Sequence, residues 1–244
     1  MKPGRTRPTP IRFGTDGWRA CIADEFTFEN VERVAQAYAD FLRQPGQNGG
    51  GDNPTKVDSS AAPRVVVGYD RRFLSKEFAE RACEVLVGNG IGVALFDGDV
   101  PTPLVSWAVR ERGAAGGVVI TASHNPATFN GFKIKAPWGG SATAETTVAV
   151  ESLVDATAPQ LAPLSANASA GLAPQIASYR SQVESFVDLE QIRSKSARVV
   201  VDSMHGTGGR WVESFLRGGE LLAESIRAER DPLFGGVSPE PIDR

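Results

Sequence analysis

The chain has 244 residues, of which 41% are hydrophobic and 23% are charged, and its formal net charge is −3. This length holds one large or two modest domains, and the composition is that of an ordinary globular protein. A slightly acidic balance without a basic stripe argues against a nucleic-acid-binding protein. The apolar runs are all far too short to span a bilayer, so the sequence predicts no membrane segment.

The first ten residues and the cysteines indicate the compartment. Residues 1–10 contain three prolines and no apolar core, so they predict a flexible N-terminus and not a secretory signal. Cys21 and Cys83 are too few for a disulfide framework and predict two reduced thiols in a cytoplasmic protein. Two histidines, His124 and His205, are too few for a His-rich metal site.

Apolar spacing predicts alternating helices and strands in the first 156 residues. Thr27 can cap a helix that runs to about Gln44, because apolar residues recur after it at helical spacing. The elements predicted next are strands at 64–67, 92–96, 117–121 and 132–135 and helices at 75–89, 104–112 and 145–156. Short apolar strands that alternate with helices are typical of an α/β layer fold with a mainly parallel sheet.

Two polar segments interrupt this pattern. Residues 44–63 are rich in Gly, Asn, Pro and Ser and predict a mobile surface insertion. Residues 157–174 are rich in Ala, Pro and Ser and predict a linker. Beyond the linker the pattern restarts, with a helix predicted at 176–192, a strand at 198–202 and a helix at 208–217. The sequence therefore predicts two domains, 11–156 and 175–244.

Polar residues crowd into the loop Thr121–Pro126, directly after a predicted strand. Ligands of open α/β sheets bind at such strand ends, and Ser123 could act as a nucleophile or carry a phosphoryl group. Neighbours in extended chain point to opposite faces, so His124 is predicted to be a poor base for Ser123. No Gly-x-Ser-x-Gly elbow occurs, which argues against a serine hydrolase of that type. A turn that merely ends the strand is the alternative.

Two further segments contain basic residues that could bind phosphate. Lys133 and Lys135 share one side of a predicted strand, and one of them could bind phosphate or move a proton. The run 13–20 predicts a tight turn that aims Arg19, whose guanidinium suits bidentate phosphate binding. The alternatives are two solvated lysines and a surface arginine beside a turn.

Two other signals are weaker. The sequence Asp97-Gly98-Asp99 lacks a third carboxylate and predicts a turn, not a magnesium site. The run 205–209 follows a predicted strand, and its amides could form an anion nest, but it has no lysine in the P-loop position. His205 is therefore predicted to be structural.

Together and in this order, these motifs resemble those of the α-D-phosphohexomutases, the phosphoglucomutases and phosphomannomutases. The segment TASHNP resembles the loop that contains the active-site phosphoserine of that family. The other matching segments are FGTDGWRA at 13–20, GYDRR at 68–72, VPTP at 100–103, GFKIK at 131–135, VDSMHGTGG at 201–209 and DPLFGGVSPEP at 231–241. The resemblance covers residues 11–244. It implies a three-layer α/β/α first domain with a mixed, mainly parallel sheet, followed by a truncated second domain of similar type.

The resemblance also implies a reaction. Hexose 1-phosphate and hexose 6-phosphate would interconvert through phosphorylated Ser123 and a bisphosphorylated sugar. Arg19 would neutralise the phosphoryl oxygens, Lys133 would assist proton transfer, and His124 would line the pocket. Mg²⁺ would be bound by an oxygen of phosphorylated Ser123 and by three aspartates, and glucose 1,6-bisphosphate would act as activator. The form of the segment 13–20 favours a phosphoglucomutase or a dual glucose and mannose enzyme.

The three aspartates of the family belong to an Asp-Gly-Asp-x-Asp-Arg loop, which does not occur in these 244 residues. We therefore expect a fragment with little or no mutase activity, because losing metal stabilisation typically costs several powers of ten in rate. One alternative is a short non-catalytic protein that binds phosphosugars or a partner, and another is a serine-dependent phosphatase or hydrolase. Nothing in the sequence indicates the oligomeric state.

Overall fold

The computed structural model describes residues 9–15, 17–44, 62–165 and 172–241. Its strands are β1 (Gly17–Cys21), β2 (Arg64–Tyr69), β3 (Gly92–Leu95), β4 (Gly116–Ile120), β5 (Phe129–Lys135), β6 (Arg198–Asp202) and β7 (Leu222–Ile226). Its helices are α1 (Phe28–Arg43), α2 (Ser75–Gly88), α3 (Thr102–Glu111), α4 (Ala144–Ser152), α5 (Ala173–Phe186), α6 (Leu189–Arg193), α7 (Trp211–Leu216) and a 3₁₀ turn, Phe234–Gly236.

The first five strands form one sheet in the order β1-β5-β4-β2-β3. Strand β2 pairs in parallel with β3 and with β4, whereas β5 pairs antiparallel with both β4 and β1. All strands of this sheet except β5 therefore run in one direction. The predicted α/β fold with a mixed, mainly parallel sheet is confirmed.

Helices cover both faces of this sheet, because its buried strands direct apolar side chains alternately to each face. Val65 and Val67 of β2 pack into one hydrophobic cluster with α1 and α2, whereas Val66 packs into a second cluster with α3. Successive side chains of a strand point to opposite faces, so a strand that is apolar throughout has two faces to bury. The result is the three-layer arrangement that the resemblance implied.

Strand β1 replaces part of the turn predicted for residues 13–20. The Gly14 N–H donates to the Gly17 carbonyl at 2.7 Å, so a turn is present, but the chain then extends and pairs with β5. Trp18 and Ala20 alternate into the core, which stabilises the strand. A Cβ at position 17 would overlap the Phe132 carbonyl, so only glycine permits this approach of β1 to β5.

The helix predicted at 176–192 is two helices, α5 and α6. The chain leaves the helical conformation at Val187, and the Asp188 carboxylate accepts a hydrogen bond from the Gln191 N–H at 2.9 Å. Aspartate at this position is a strong helix N-cap, so it starts a new helix instead of continuing the old one. The helix predicted at 208–217 is shorter and spans Trp211–Leu216.

The predicted linker begins by packing on the first sheet unit. The Gln160 N–H donates to Gln36 Oε1 at 3.0 Å, and the Ala162 N–H donates to the Glu84 carbonyl at 3.0 Å. Residues 160–162 therefore lie against α1 and α2. Residues 166–171 of the predicted linker, most of the predicted insertion (45–61) and the first eight residues lie outside the described part of the chain.

The second unit contains the parallel pair β6–β7 and contacts the first unit through α5. The Trp107 indole N–H in α3 donates to Ser178 Oγ in α5 at 2.9 Å. Leu172 is buried in the hydrophobic cluster around α3. Within the described residues, none of the helices combines the length and the apolar character that a membrane crossing needs.

Candidate active site

Ser123 lies in a tight turn at the end of β4, where the chain reverses into β5. Its φ of 56° is left-handed, its N–H donates to Thr121 Oγ1 at 3.1 Å, and the Asn125 N–H donates to the Ala122 carbonyl at 3.0 Å. A non-glycine residue with this φ costs free energy and persists only where the surroundings impose it. The turn leaves the Ser123 side chain exposed to solvent at the carboxyl edge of the sheet.

The prediction that Ser123 and His124 point apart is wrong. Ser123 Oγ lies 3.4 Å from His124 Nδ1, which is a long hydrogen bond. The prediction assumed an extended chain, and the left-handed φ of Ser123 removes that alternation. The His124 side chain is 57% exposed, and its Nε2 lies 3.9 Å from Glu240 Oε1 in the second unit.

Arg72 is hydrogen-bonded to the backbone of the serine turn, and its side chain is 0% exposed. Its two terminal nitrogens donate at 2.8–3.1 Å to four carbonyls of the turn, those of Ser123, Asn125, Pro126 and Phe129. Its Nε donates to Asp70 Oδ2 at 3.1 Å. A guanidinium presents its donors in a fixed planar fork, so these bonds fix the shape of the turn.

A buried polar network continues from Asp70. Its Oδ1 accepts hydrogen bonds from the Ser75 hydroxyl at 2.7 Å and from the Arg72 N–H at 3.0 Å. Asn130 donates to Ser75 Oγ at 2.9 Å, which connects the start of α2 to β5. Burial lowers the pKa of the Arg72 guanidinium, and the neighbouring Asp70 carboxylate opposes that shift. The network therefore supplies the counter-charge that the buried guanidinium needs.

Arg19 reaches the turn from β1. Its Nη1 donates to Asn125 Oδ1 at 2.9 Å, and it pairs across the ladder with Gly131. A Cβ at Gly131 would lie 2.6 Å from the Thr121 carbonyl and 3.0 Å from Arg19 Cγ. Glycine at position 131 therefore leaves the space in which the Arg19 side chain passes.

Lys133 lies on the same face of the sheet as Arg19. It pairs with Gly17 in β1 and with Val119 in β4, and it is partly buried, whereas Lys135 is buried. Lys133 follows Gly131 by two residues, so the strand period places its side chain on the face of Arg19. The alternative of two solvated lysines on an exposed face therefore does not hold.

Residues of the second unit lie against this site. Arg230 Nη2 donates to the Arg72 carbonyl at 3.2 Å, and the Phe234 ring centroid lies 5.1 Å from the Arg72 guanidinium carbon. Arg71 donates to the Ala228 carbonyl at 2.6 Å and pairs with Asp99 at 2.6 Å. The segment 228–234 thus packs directly on the loop that follows β2.

Arg72 and Asp70 are site residues that the sequence interpretation did not select. Their signal was present in the segment 68–72, because an Asp and an Arg two residues apart follow a buried strand at the carboxyl edge. The residues of the two weaker signals make structural contacts: His205 Nδ1 contacts the Glu229 carbonyl at 3.0 Å, and Asp99 pairs with Arg71. These contacts agree with a structural histidine and with a turn at 97–99.

The donor set around Ser123 fits only part of a magnesium site. An oxygen on phosphorylated Ser123 would be a hard oxygen ligand of the kind that Mg²⁺ prefers. Among the described residues, no group of three or more His, Cys, Asp or Glu side chains is placed to hold a metal ion.

Comparison with known proteins identifies two domains of one family. Residues 10–160 match the model of the phosphoglucomutase/phosphomannomutase alpha/beta/alpha domain I, and residues 177–244 match that of domain II. The chain is 30% identical over 229 residues to a phosphoglucomutase/phosphomannomutase of Thermococcus kodakarensis, covering 94% of this chain and 47% of that protein. It is also 30% identical over 234 residues to a phosphoglucosamine/phosphogalactosamine mutase of Sulfurisphaera tokodaii, with the same coverage of each.

A solved structure supports the same assignment. The crystal structure of a Thermus thermophilus protein described as a phosphomannomutase superposes with a TM-score of 0.80 at 38% identity, covering 97% of this chain and 50% of that one. The chain spans about half the length of the curated relatives it matches. Both domain models and the fold agree, and the chain belongs to the phosphoglucomutase/phosphomannomutase family.

Proposed function

We propose that this chain provides the phosphoryl-carrying serine of a hexose-phosphate mutase, and that Ser123 is this serine. The observation that carries the proposal is the exposed Ser123 hydroxyl, held in a left-handed turn whose carbonyls are bonded to a buried arginine. A phosphoryl carrier has to meet its substrate in a fixed direction, because phosphoryl transfer depends mainly on positioning and charge neutralisation.

The proposed transfer needs only phosphorylated Ser123 and a hexose monophosphate as reactants. A hydroxyl of a hexose monophosphate attacks the phosphorus of phosphorylated Ser123, the bond from phosphorus to Ser123 Oγ breaks, and the hydroxyl proton ends on Oγ. The resulting bisphosphate turns over, and its other phosphoryl group returns to Ser123 by the reverse step. Ser123 is phosphorylated again, and the sugar leaves as the isomeric monophosphate.

Three side chains assist this transfer in the proposal. Arg19, which holds the turn through Asn125, neutralises negative charge on the phosphoryl oxygens. Lys133, on the same sheet face, assists proton transfer at the sugar hydroxyl. His124 lies 3.4 Å from Ser123 Oγ and is placed to exchange a proton with it. Mg²⁺, when bound, supplies further positive charge to the phosphoryl group.

The proposal is tested by asking which residue of the chain accepts phosphate from glucose 1,6-bisphosphate. The purified chain is incubated for an extended period with glucose 1,6-bisphosphate and Mg²⁺, and the phosphorylated residue is located by mass spectrometry. We expect phosphate on Ser123, no label in Ser123→Ala, and normal labelling in Ser152→Ala, a control serine at the exposed end of α4. A coupled assay for conversion of glucose 1-phosphate to glucose 6-phosphate runs beside it.

Two results would contradict the proposal. Absence of label from Ser123, or equal label in Ser123→Ala, would remove this residue as the phosphoryl carrier. Release of inorganic phosphate without isomer formation would identify a serine-dependent phosphatase instead.

A further inference from the structure

We propose that Phe234 is a positioning residue for Ser123, which it controls through Arg72. The segment that follows β7 would thereby couple the placement of the second unit to the geometry of the serine turn. This inference rests on the proposed function of Ser123, but its structural part is testable without any phosphoryl transfer.

Arg72 acts on the turn and not on a phosphate. A guanidinium has five N–H donors. In Arg72, Nε donates to Asp70 and the two terminal nitrogens make four bonds to turn carbonyls. All five donors are therefore engaged within the chain, and the side chain is 0% exposed. Any effect of Arg72 on phosphoryl transfer must pass through the backbone that it holds.

The face of this guanidinium is covered by Phe234. The ring centroid lies 5.1 Å from the Arg72 guanidinium carbon, and Phe234 is 5% exposed. A cation over an aromatic face within about 6 Å is attracted by the ring, and the attraction is stronger when water is excluded. Removing the ring would admit water, which competes with the four carbonyls for the same donors.

The position of Phe234 is fixed by the second unit. Asp231 accepts hydrogen bonds from the Leu233 N–H at 2.9 Å and from the Gly235 N–H at 3.0 Å, and these hold Phe234 in a tight turn. Arg230 donates to the Arg72 carbonyl at 3.2 Å from the same segment. The ring therefore covers Arg72 only while the segment after β7 is docked on the loop after β2.

Hydrogen–deuterium exchange of the peptide 121–129 tests this coupling in the full chain. The reporters are the amides of Ser123, Asn125 and Phe129, each bonded within the turn. We expect Phe234→Leu, which keeps an apolar side chain but loses the ring, to accelerate exchange of the turn about tenfold. Phe234→Tyr keeps the ring, so its turn should exchange as slowly as that of the wild type. Leu233→Ala, at an exposed neighbour, should also leave the exchange of the turn unchanged.

Each other outcome overturns the inference. Unchanged exchange of the turn in Phe234→Leu would show that the ring does not hold it. Equal acceleration in the peptides of β2 and β4 would show a general loss of stability, and failure of Phe234→Tyr to keep exchange slow would exclude the ring face.

Labelling of Ser123 by glucose 1,6-bisphosphate should slow in Phe234→Leu. If wild type is not labelled, the proposed function fails, whereas the exchange result still decides the coupling.

Discussion

Arg72 and Arg19 show how environment gives two arginines of one site different tasks. Arg72 is completely buried and donates to four backbone carbonyls, whereas Arg19 is partly exposed and bonds to an amide side chain of the turn. A buried cation is stable only where its partners are complete. We therefore expect position 72 to tolerate less change than position 19.

Arg72→Lys tests this expectation. An ammonium has three donors on a single atom, so it cannot reach all four carbonyls, and the carbonyls left without partners cost free energy. We expect the free energy of unfolding, measured with urea, to fall by roughly 3 kcal/mol. Arg43→Lys, a change at the exposed end of α1, should lower it by less than about 1 kcal/mol. Similar losses in the two variants would contradict this account of Arg72.

At this scale the sequence predicted the identity of the candidate residues better than their geometry. Ser123 was selected from a polar loop after an apolar strand, and such a loop is where the structure places it. The relation of Ser123 to His124 could not be predicted, because a single left-handed φ in a non-glycine residue leaves no pattern in the residue types. Arg72 was missed because its partners are backbone carbonyls 51 to 57 residues away along the chain.

Among the secondary-structure elements, α1 depends most clearly on residues that are close together in the sequence. Its N-cap is Thr27, whose hydroxyl accepts a hydrogen bond from the Asn30 N–H at 3.2 Å, and its buried face packs on α2. The cap residue and the apolar period lie within one stretch of sequence, so the start of this helix could be predicted. Strand β1 could not, because its stability comes from pairing with β5 more than a hundred residues later.

Thr27→Ala should measure the contribution of this cap. Loss of the hydroxyl leaves a helix amide without its partner, which typically costs about 1 kcal/mol. For a chain of this size we expect the Tm to fall by roughly 2–4 °C. Thr27→Ser keeps the acceptor oxygen and should stay close to wild type in the same calorimetric scan. Equal Tm values for the two variants would show that the hydrogen bond does not stabilise α1.

For the whole molecule, ion pairs join parts of the chain that are distant in sequence. Arg33 in α1 donates two hydrogen bonds of 2.7 Å to the carboxylate of Asp155, which follows α4. Glu151 in α4 accepts from the Arg12 guanidinium at 2.8 Å and from the Phe13 N–H at 2.7 Å. These contacts tie the amino-terminal segment and both helices to one side of the first unit. The pairing itself could not be predicted, since each carboxylate alone looks like an ordinary surface residue.

Asp155 gives the molecule a predictable response to acid. The hydrogen bonds from Arg33 hold the pKa of Asp155 below its ordinary value of 3.8. The unfolded chain therefore binds this proton more readily, so the stabilisation is present above about pH 4 and is lost as the pH falls below it. Asp155→Asn should lower the Tm at neutral pH and flatten its decline in acid. Asp24→Asn, in an exposed turn, should follow the wild-type curve, and an unchanged acid slope in Asp155→Asn would contradict the prediction.

The left-handed backbone of Ser123 has a consequence for which amino acids could occupy that position. Threonine has the same hydroxyl chemistry, but a β-branched residue is strongly disfavoured at such a φ, whereas aspartate and asparagine are tolerated. The turn therefore discriminates between two chemically equivalent hydroxyl side chains by their shape at Cβ. It also means that a permanent carboxylate at position 123 would fit the backbone without new strain.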